Sequence, residues 1–555
     1  MLKSAPTLAL RHLTSWGVFA ALTLTACGGG DSGSLNDVIG TVSSSSSVSS
    51  AASSISSSSA NTGDTFVWEE GVFPNLEDYW SLCENPRQGI APYNGQAYPD
   101  MAGSYIDENV FLRSFSNEYY LWYDEIDDRN PILFDTPTYF DLLVTQERTP
   151  SGALKDQFHW SENTDTYRAR QDSGIAVDYG MEWVILSSVP PREVVVVYTE
   201  PSSSAGLAGV SRGASIVSID GIDLINDDSA EGINLLNMAL IPTVANQSHT
   251  FTFQELGSTE TRDVVLTATE AAIASVNKTN IINTATGDVG YMLFNSHIAT
   301  AETELINAIE SFANTGVSDL VLDLRYNGGG FLDIASELGY MVGGTNVADK
   351  DFYFLRFNDK HPETDPFSGE SLAPIKFHST TQNFSEPEGQ PLPTLNLNRV
   401  YVLTGSGTCS ASEAVINGLA GADVEVIQIG NATCGKPYGA YVIDNCGKSY
   451  FTTQFSGTNA KGFGDYAAGF FPGAADSADA SELPGCMVND DYTHALGDSN
   501  EARLAAALYY RDHGSCPADT AAKTSVSAKT HLNTPNDGIM FHPPGMGDAI
   551  LRTEP

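Results

Sequence analysis

Leu320-Val321-Leu322-Asp323-Leu324-Arg325-Tyr326-Asn327-Gly328-Gly329-Gly330 is the stretch on which the fold turns. Its first five residues, four of them apolar, run without alternation into a triple glycine. A short apolar run of this kind marks a strand buried on both faces, as in a parallel sheet covered by helices. The glycines leave the backbone free to adopt positive φ with its amides uncovered. Such a turn is either a plain reversal or a cradle for an anion, phosphate or oxyanion. The G-x-x-x-x-G-K-[ST] spacing of a nucleotide loop is absent from it.

Outward from this stretch, strands and helices alternate. Residues 290–294 read as a strand and 299–313 as a helix, with Leu305, Ile306, Ile309 and Phe312 at helical spacing. A helix over 331–342 follows the triple glycine. A second buried strand, 399–403, runs into Gly405-Ser406-Gly407-Thr408-Cys409-Ser410, then a helix over 411–419 and a strand over 424–429. The alternation predicts an α/β sheet within a multidomain α+β chain. Ligand sites in such sheets gather at the carboxyl ends of strands, where both glycine-rich turns fall.

Ser410 lies at a strand-to-helix turn. A hydroxyl there faces the positive end of the helix dipole, and the next backbone amide can stabilise a developing oxyanion. The same residues also read as an ordinary capping box, Ser410 at the N-cap and Glu413 at N3. Lys436 stands 26 residues further on, in Gly430-Asn431-Ala432-Thr433-Cys434-Gly435-Lys436. The strand over 424–429 can deliver its amine to the same sheet edge. A buried lysine loses charge stabilisation, and its free amine can deprotonate a serine; otherwise Lys436 is a solvated surface charge.

The preceding segment is built of short β-rich runs. Val194–Tyr198 is followed by Ser204-Ala205-Gly206-Leu207 and Gly213-Ala214-Ser215-Ile216-Val217-Ser218-Ile219-Asp220-Gly221. A small-residue helix start, a glycine turn, a strand and Asp-Gly resemble the second half of a PDZ domain. The resemblance implies that Gly174, Ile175, Ala176 and Val177 form a loop presenting amides to a peptide's carboxyl terminus. Phe111, Phe115, Tyr119 and Trp122 make a helical stripe further upstream, read as core packing.

The three stretches 322–330, 407–413 and 430–436 together resemble the motifs of the C-terminal processing, or tail-specific, serine peptidases. The PDZ-like segment precedes them in that family's order, and Tyr119-Tyr120-Leu121-Trp122-Tyr123 resembles an N-terminal helical domain of some bacterial members. The resemblance covers about 104–520. It implies a crotonase-like catalytic core, Ser410 as nucleophile and Lys436 as general base. The oxyanion hole would come from the amides of Ala411 and of Gly328 or Gly329. Protein or peptide substrates are the partners implied, and no cofactor. The chain departs from the family after the lysine, with Pro437 in place of Gly and Ala440 in place of the lysine-orienting Gln; Gln454 is the candidate substitute. Two other readings stay open: a catalytically silent peptide-binding lipoprotein, and a serine peptidase with a histidine base.

Both chain ends differ from this middle. Lys3 and Arg11 precede a short apolar run that closes at Leu24-Thr25-Ala26-Cys27, too short for a membrane span. It resembles a bacterial lipobox, which implies cleavage before Cys27, acylation of that cysteine and anchoring in the cell envelope. Gly28 after the cysteine points to the outer membrane. Residues 27–64 are nearly all Gly, Ser, Ala and Asp and read as a tether. The expected organisation is therefore 1–26 signal, 27–64 linker, 65–165 N-terminal helical domain, 166–270 PDZ-like domain, 271–520 catalytic domain and 521–555 polar tail.

With 69 acidic against 27 basic residues the net charge is −42, a field that repels phosphate and argues against nucleic-acid partners. Six cysteines besides Cys27 in an exported chain suggest up to three disulfides, with fifteen possible pairings. Nearness in sequence favours Cys434–Cys446 and Cys486–Cys516, leaving Cys83–Cys409 by elimination. No C-x-x-C or histidine-rich cluster is present, so no metal site is expected.

Overall fold

The buried runs singled out above are the middle strands of one large sheet. A computed structural model of the chain describes residues 66–149, 152–474, 476–518 and 549–550. The signal segment, Cys27, the linker and most of the polar tail lie outside the described residues. The sheet has seven strands, in the order Val276–Ile282, Val289–Phe294, Asp319–Asp323, Arg399–Thr404, Glu425–Gly430, Glu482–Met487 and Phe471–Gly473. The first pair is antiparallel and every later pair is parallel.

Successive residues of each strand serve opposite faces, and both faces are covered. Leu320, Leu322 and Leu324 pack with Met292, Phe294 and the helices Ala301–Thr315, Leu332–Gly343 and Ala411–Gly421. Val321 points the other way with Tyr291, Leu293, Tyr401 and Ile427, against Leu504, Ala506 and Ala507 of the helix Ala502–His513. That two-sided cover is why these strands read as continuous apolar runs. The carboxyl ends of Asp319–Asp323 and Arg399–Thr404 stand next to each other, which places the two glycine-rich turns side by side.

The PDZ-like segment forms its own sheet, in the order Thr261–Thr267, Ser248–Gln254, Ser215–Ile219, Glu193–Thr199 and Met181–Ser187. Its core holds Val194, Val196, Ile216, Ile219, Phe251 and Phe253, closed by Leu236, Ala239 and Leu240 of the helix Ala230–Leu240. The strand Ile175–Asp178 lies apart, paired antiparallel with Thr269–Ala272.

The N-terminal segment is fused to the part that carries the seven-stranded sheet rather than set beside it. Phe111 and Phe115 of the helix Tyr105–Tyr119 share a core with Tyr139, Phe140, Ile443 and Tyr450. The strand Trp160–Asn163 pairs antiparallel with Lys448–Phe451, and Trp160 stacks on Phe451 at 4.0 Å. A Cys83–Cys446 disulfide ties the same two regions across 363 residues.

Cysteine pairing corrects two expectations. Cys434 bonds Cys409, and Cys446 bonds Cys83, so neither Cys434–Cys446 nor Cys83–Cys409 forms. The hairpin that carries Cys446 is drawn toward the N-terminal segment by the Trp160–Asn163 ladder, away from Cys434. Cys486 and Cys516 are joined. Among the described residues no helix is long and apolar enough to cross a membrane.

Candidate active site

Ser410 occupies a strained backbone position. It takes φ 61° and ψ −112° between the turn after Arg399–Thr404 and the helix Ala411–Gly421. Positive φ at a non-glycine residue is costly and persists only where its surroundings enforce it. Here the enforcement comes from the neighbouring turn. The Asn327 carbonyl accepts from the Cys409 amide at 3.1 Å and from the Ser412 hydroxyl at 3.0 Å. The Thr408 hydroxyl donates to the Leu324 carbonyl at 2.8 Å. Ser410 itself is 1% exposed, and among the described residues its Oγ has no hydrogen-bond partner.

The glycine turn is held by Asn327 and His297. Asn327 Nδ2 donates to the Phe294 carbonyl at 2.9 Å, which leaves Oδ1 to accept from the Gly329 amide and from His297 Nδ1, both at 3.0 Å. His297 therefore carries its proton on Nδ1. Burial pushes its pKa down to about 4, against the hydrogen bonds to Asn327 and Gly329, so the ring is neutral at pH 7. Gly330 sits at φ +135°, and a Cβ there would stand 2.3 Å from the His297 carbonyl oxygen, so only glycine fits. Gly329's amide is spent on Asn327, which removes it from the expected oxyanion hole. Gly328 and Ala411 remain, and among the described residues neither amide donates to a protein acceptor.

Glu413 joins Ser410 to the loop of Lys436. It is fully buried, and its two oxygens accept four hydrogen bonds. Oε2 takes the amides of Ser410 at 2.9 Å and Lys436 at 2.8 Å. Oε1 takes the Thr433 hydroxyl at 2.6 Å and the Gly435 amide at 2.9 Å. Burial pushes the carboxyl up, and these four donors pull it back. The capping box visible in sequence is thus half of a wider junction. The Cys409–Cys434 disulfide binds the same two loops covalently.

Lys436 is 6% exposed, and its Nζ lies 4.9 Å from the centre of the Phe158 ring. Phe158 belongs to the N-terminal segment, and no sequence signal marked it. Gln454, the candidate lysine-orienting residue, has both ends of its amide on Tyr441. Oε1 accepts from the Tyr441 amide at 2.9 Å, and Nε2 donates to its carbonyl at 3.0 Å. Beside Tyr438, a cleft of about 590 Å³ is lined by Asp124, Glu125, Glu147, Arg148 and Lys155 among others.

A buried charge network supports the turn from behind. Arg325 is 1% exposed and pairs with Asp323 at 2.9 Å, Asp490 at 2.8 Å and Glu501 at 2.8 Å. Tyr326 donates to Asp490 at 2.5 Å and accepts from Arg212 of the PDZ-like segment at 2.9 Å. Despite its burial, Arg503, Arg325 and Arg212 hold Asp490 well below the usual carboxylate range. The PDZ-like segment thereby touches the residue next to Asn327.

The expected peptide-terminus loop is built otherwise. Gly174 is the left-handed C-cap of the helix Thr164–Ser173, its amide donating to the carbonyls of Ala169 and Arg170. Ile175, Ala176 and Val177 are paired with Ala272, Ala271 and Glu270. The Gly174 amide is thus closed into a helix end rather than open to a chain terminus.

The site thus holds a serine on a strained strand-to-helix turn, two uncommitted amides beside it and a buried lysine on the next loop. Residues 288–444 match the model of peptidase family S41. A carboxyl-terminal-processing protease of Picosynechococcus sp. (strain ATCC 27264 / PCC 7002 / PR-6) is 30% identical over 167 residues. That alignment covers 30% of this chain and 38% of the relative. An S41 protease structure from Bacteroides fragilis NCTC 9343 shares the fold, with TM-score 0.52 at 22% identity, over 75% of this chain and 98% of that one.

Proposed function

We propose that the protein is a serine endopeptidase that cleaves exported or envelope proteins with Ser410 as nucleophile and Lys436 as general base. The observation that carries this reading is the enforced strain at Ser410, whose loop Glu413 and a disulfide lock to the loop of Lys436. The neutral Lys436 amine takes the Ser410 proton as Oγ attacks the scissile carbonyl. The resulting oxyanion receives the Gly328 and Ala411 amides. The Lys436 ammonium then protonates the leaving amine, and an acyl-Ser410 ester remains. Water, deprotonated by Lys436, attacks that ester and frees the new carboxyl terminus.

Substrate capture falls to the PDZ-like sheet in this reading. Its outer strand Met181–Ser187 has no second neighbour among the described residues, and Leu186 on that strand and Leu235 and Met238 of the helix Ala230–Leu240 are exposed. Lipid anchoring through Cys27 would hold the enzyme at the envelope; a mature N-terminus whose mass carries no lipid refutes that part.

The deciding experiment is labelling by a serine-reactive phosphonate, followed by peptide turnover in Ser410→Ala and Lys436→Arg. Both variants should lose turnover, because a guanidinium stays protonated at any working pH and cannot accept the serine proton. Wild-type turnover should rise with pH as the amine is freed. Near-normal turnover in Lys436→Arg would transfer the base role to His297, whose Nε2 is buried and lacks a partner among the described residues. Absence of labelling in the wild type would leave a silent peptide-binding protein.

A further inference from the structure

The chain's own late segment lies on the active-site edge. Residues Ala549–Ile550 form a strand parallel to Gly330–Phe331, with Gly330 opposite Ala549 and Phe331 opposite Ile550. The other side of Gly330 is bridged by His297, so the short strand has one edge inward and one toward this segment. Ala549–Ile550 also comes alongside Tyr438–Gly439, two residues past Lys436. It therefore crosses between the glycine turn assigned to the oxyanion and the strand that follows the base.

We propose that the edge of Gly330–Phe331 is the docking strand for extended peptide substrates, and that residues 549–550 occupy it in the resting enzyme as a tethered competitor. Pairing of this kind is made by main-chain groups, so one edge serves any extended peptide, substrate or tail. A segment of the same chain competes at a fixed local concentration, however dilute the enzyme. If it fills the edge about nine-tenths of the time, apparent substrate affinity falls about tenfold while the chemistry of the emptied site is unchanged. The inference rests on the assignment of the glycine turn to the active site.

Two arms separate the failure of this inference from failure of the peptidase reading. The first uses Ser410→Ala proteins and a fluorescein-labelled peptide of residues 545–555 as probe, read by anisotropy. The Ser410→Ala variant lacking residues 519–555 should bind the probe at least about tenfold more tightly than full-length Ser410→Ala. A full-length form with Ala549→Pro and Ile550→Pro should gain affinity likewise, since proline donates no ladder hydrogen bond, and it guards against misfolding of the truncated chain. The second arm uses the active proteins. Truncation should lower KM by the same factor with kcat unchanged, and the probe should inhibit competitively. Equal probe affinity in full-length and truncated proteins, or no binding to either, overturns the inference. Probe binding as expected without turnover by any variant leaves the tethered segment standing and removes the peptidase.

Discussion

Replacing Glu413 by glutamine tests whether the loops of Ser410 and Lys436 are held by one carboxylate. Every group facing its two oxygens is a donor: three amides and the Thr433 hydroxyl. A glutamine amide, in either orientation, sets an NH2 against two of them. Two hydrogen bonds to a charged acceptor are then lost, each worth about 1.5–3 kcal/mol. A neutral amide is easier to bury than a carboxylate, which offsets part of this, so the net loss is about 2–4 kcal/mol. For a chain of this size that lowers Tm by roughly 2–4 °C. Because the bonds span the Ser410 and Lys436 loops, phosphonate labelling should also slow by about 100-fold, the cost of misplacing reacting groups by about an ångström. Thr433→Val removes one donor to Glu413 and also the acceptor of the Phe470 amide, and should lower Tm as well. A Glu413→Gln protein that melts within about 0.5 °C of wild type and labels at the wild-type rate would refute the junction, since the lost bonds alone demand more.

Other outcomes follow from the same structure. Cys409→Ala with Cys434→Ala opens a cross-link spanning 25 residues and should cost about 3.5 kcal/mol in urea unfolding while slowing Ser410 labelling; unchanged labelling would make the bridge purely structural. His297 should make the fold acid-sensitive. Below its unfolded value of about 6.5, the unfolded chain binds a proton that the folded ring, at about 4, refuses; stability is therefore full above 6.5 and falls by about 3 kcal/mol as pH drops toward 4. His297→Phe should remove that component from the pH dependence of unfolding, and an identical slope in both proteins would contradict it. Arg325→Met leaves Asp323, Asp490 and Glu501 without their common cation and should cost about 3–5 kcal/mol; a wild-type Tm would show the network to be dispensable.

The catalytic sheet was legible because burial on both faces writes itself into the chain. Leu320–Leu324 and Arg399–Thr404 carry no polar alternation to confuse the period, and each ends in glycine-rich turns. Ser410 and Lys436 stand at strand ends in the sequence, and the structure ties their two loops together. What escaped was whatever tertiary pairing decides. Cys446 is nearer to Cys434 in sequence, yet a ladder with Trp160–Asn163 carries it to Cys83. Glu413 reads as a cap, because Thr433, Gly435 and Lys436 reach it only after the strand Glu425–Gly430 has run the length of the sheet. His297 is a lone histidine after an apolar strand, with nothing local to show that Asn327 lies beside it. Gly329 looked equivalent to Gly328 until the Asn327 side chain claimed its amide.

The ladder between Trp160–Asn163 and Lys448–Phe451 also sets a timetable. Asn163 leaves the ribosome 285 residues before its partner Lys448. At about 5–20 residues per second, synthesis of the intervening chain takes roughly 15–60 s. Through that interval Phe158 has no lysine to lie against, and Cys83 has no mate. A chain broken off between Lys436 and Lys448 carries Ser410, Glu413 and Lys436 yet lacks the ladder that joins the N-terminal segment to this part. The surroundings of Lys436 are thus completed only after residue 448 has been made.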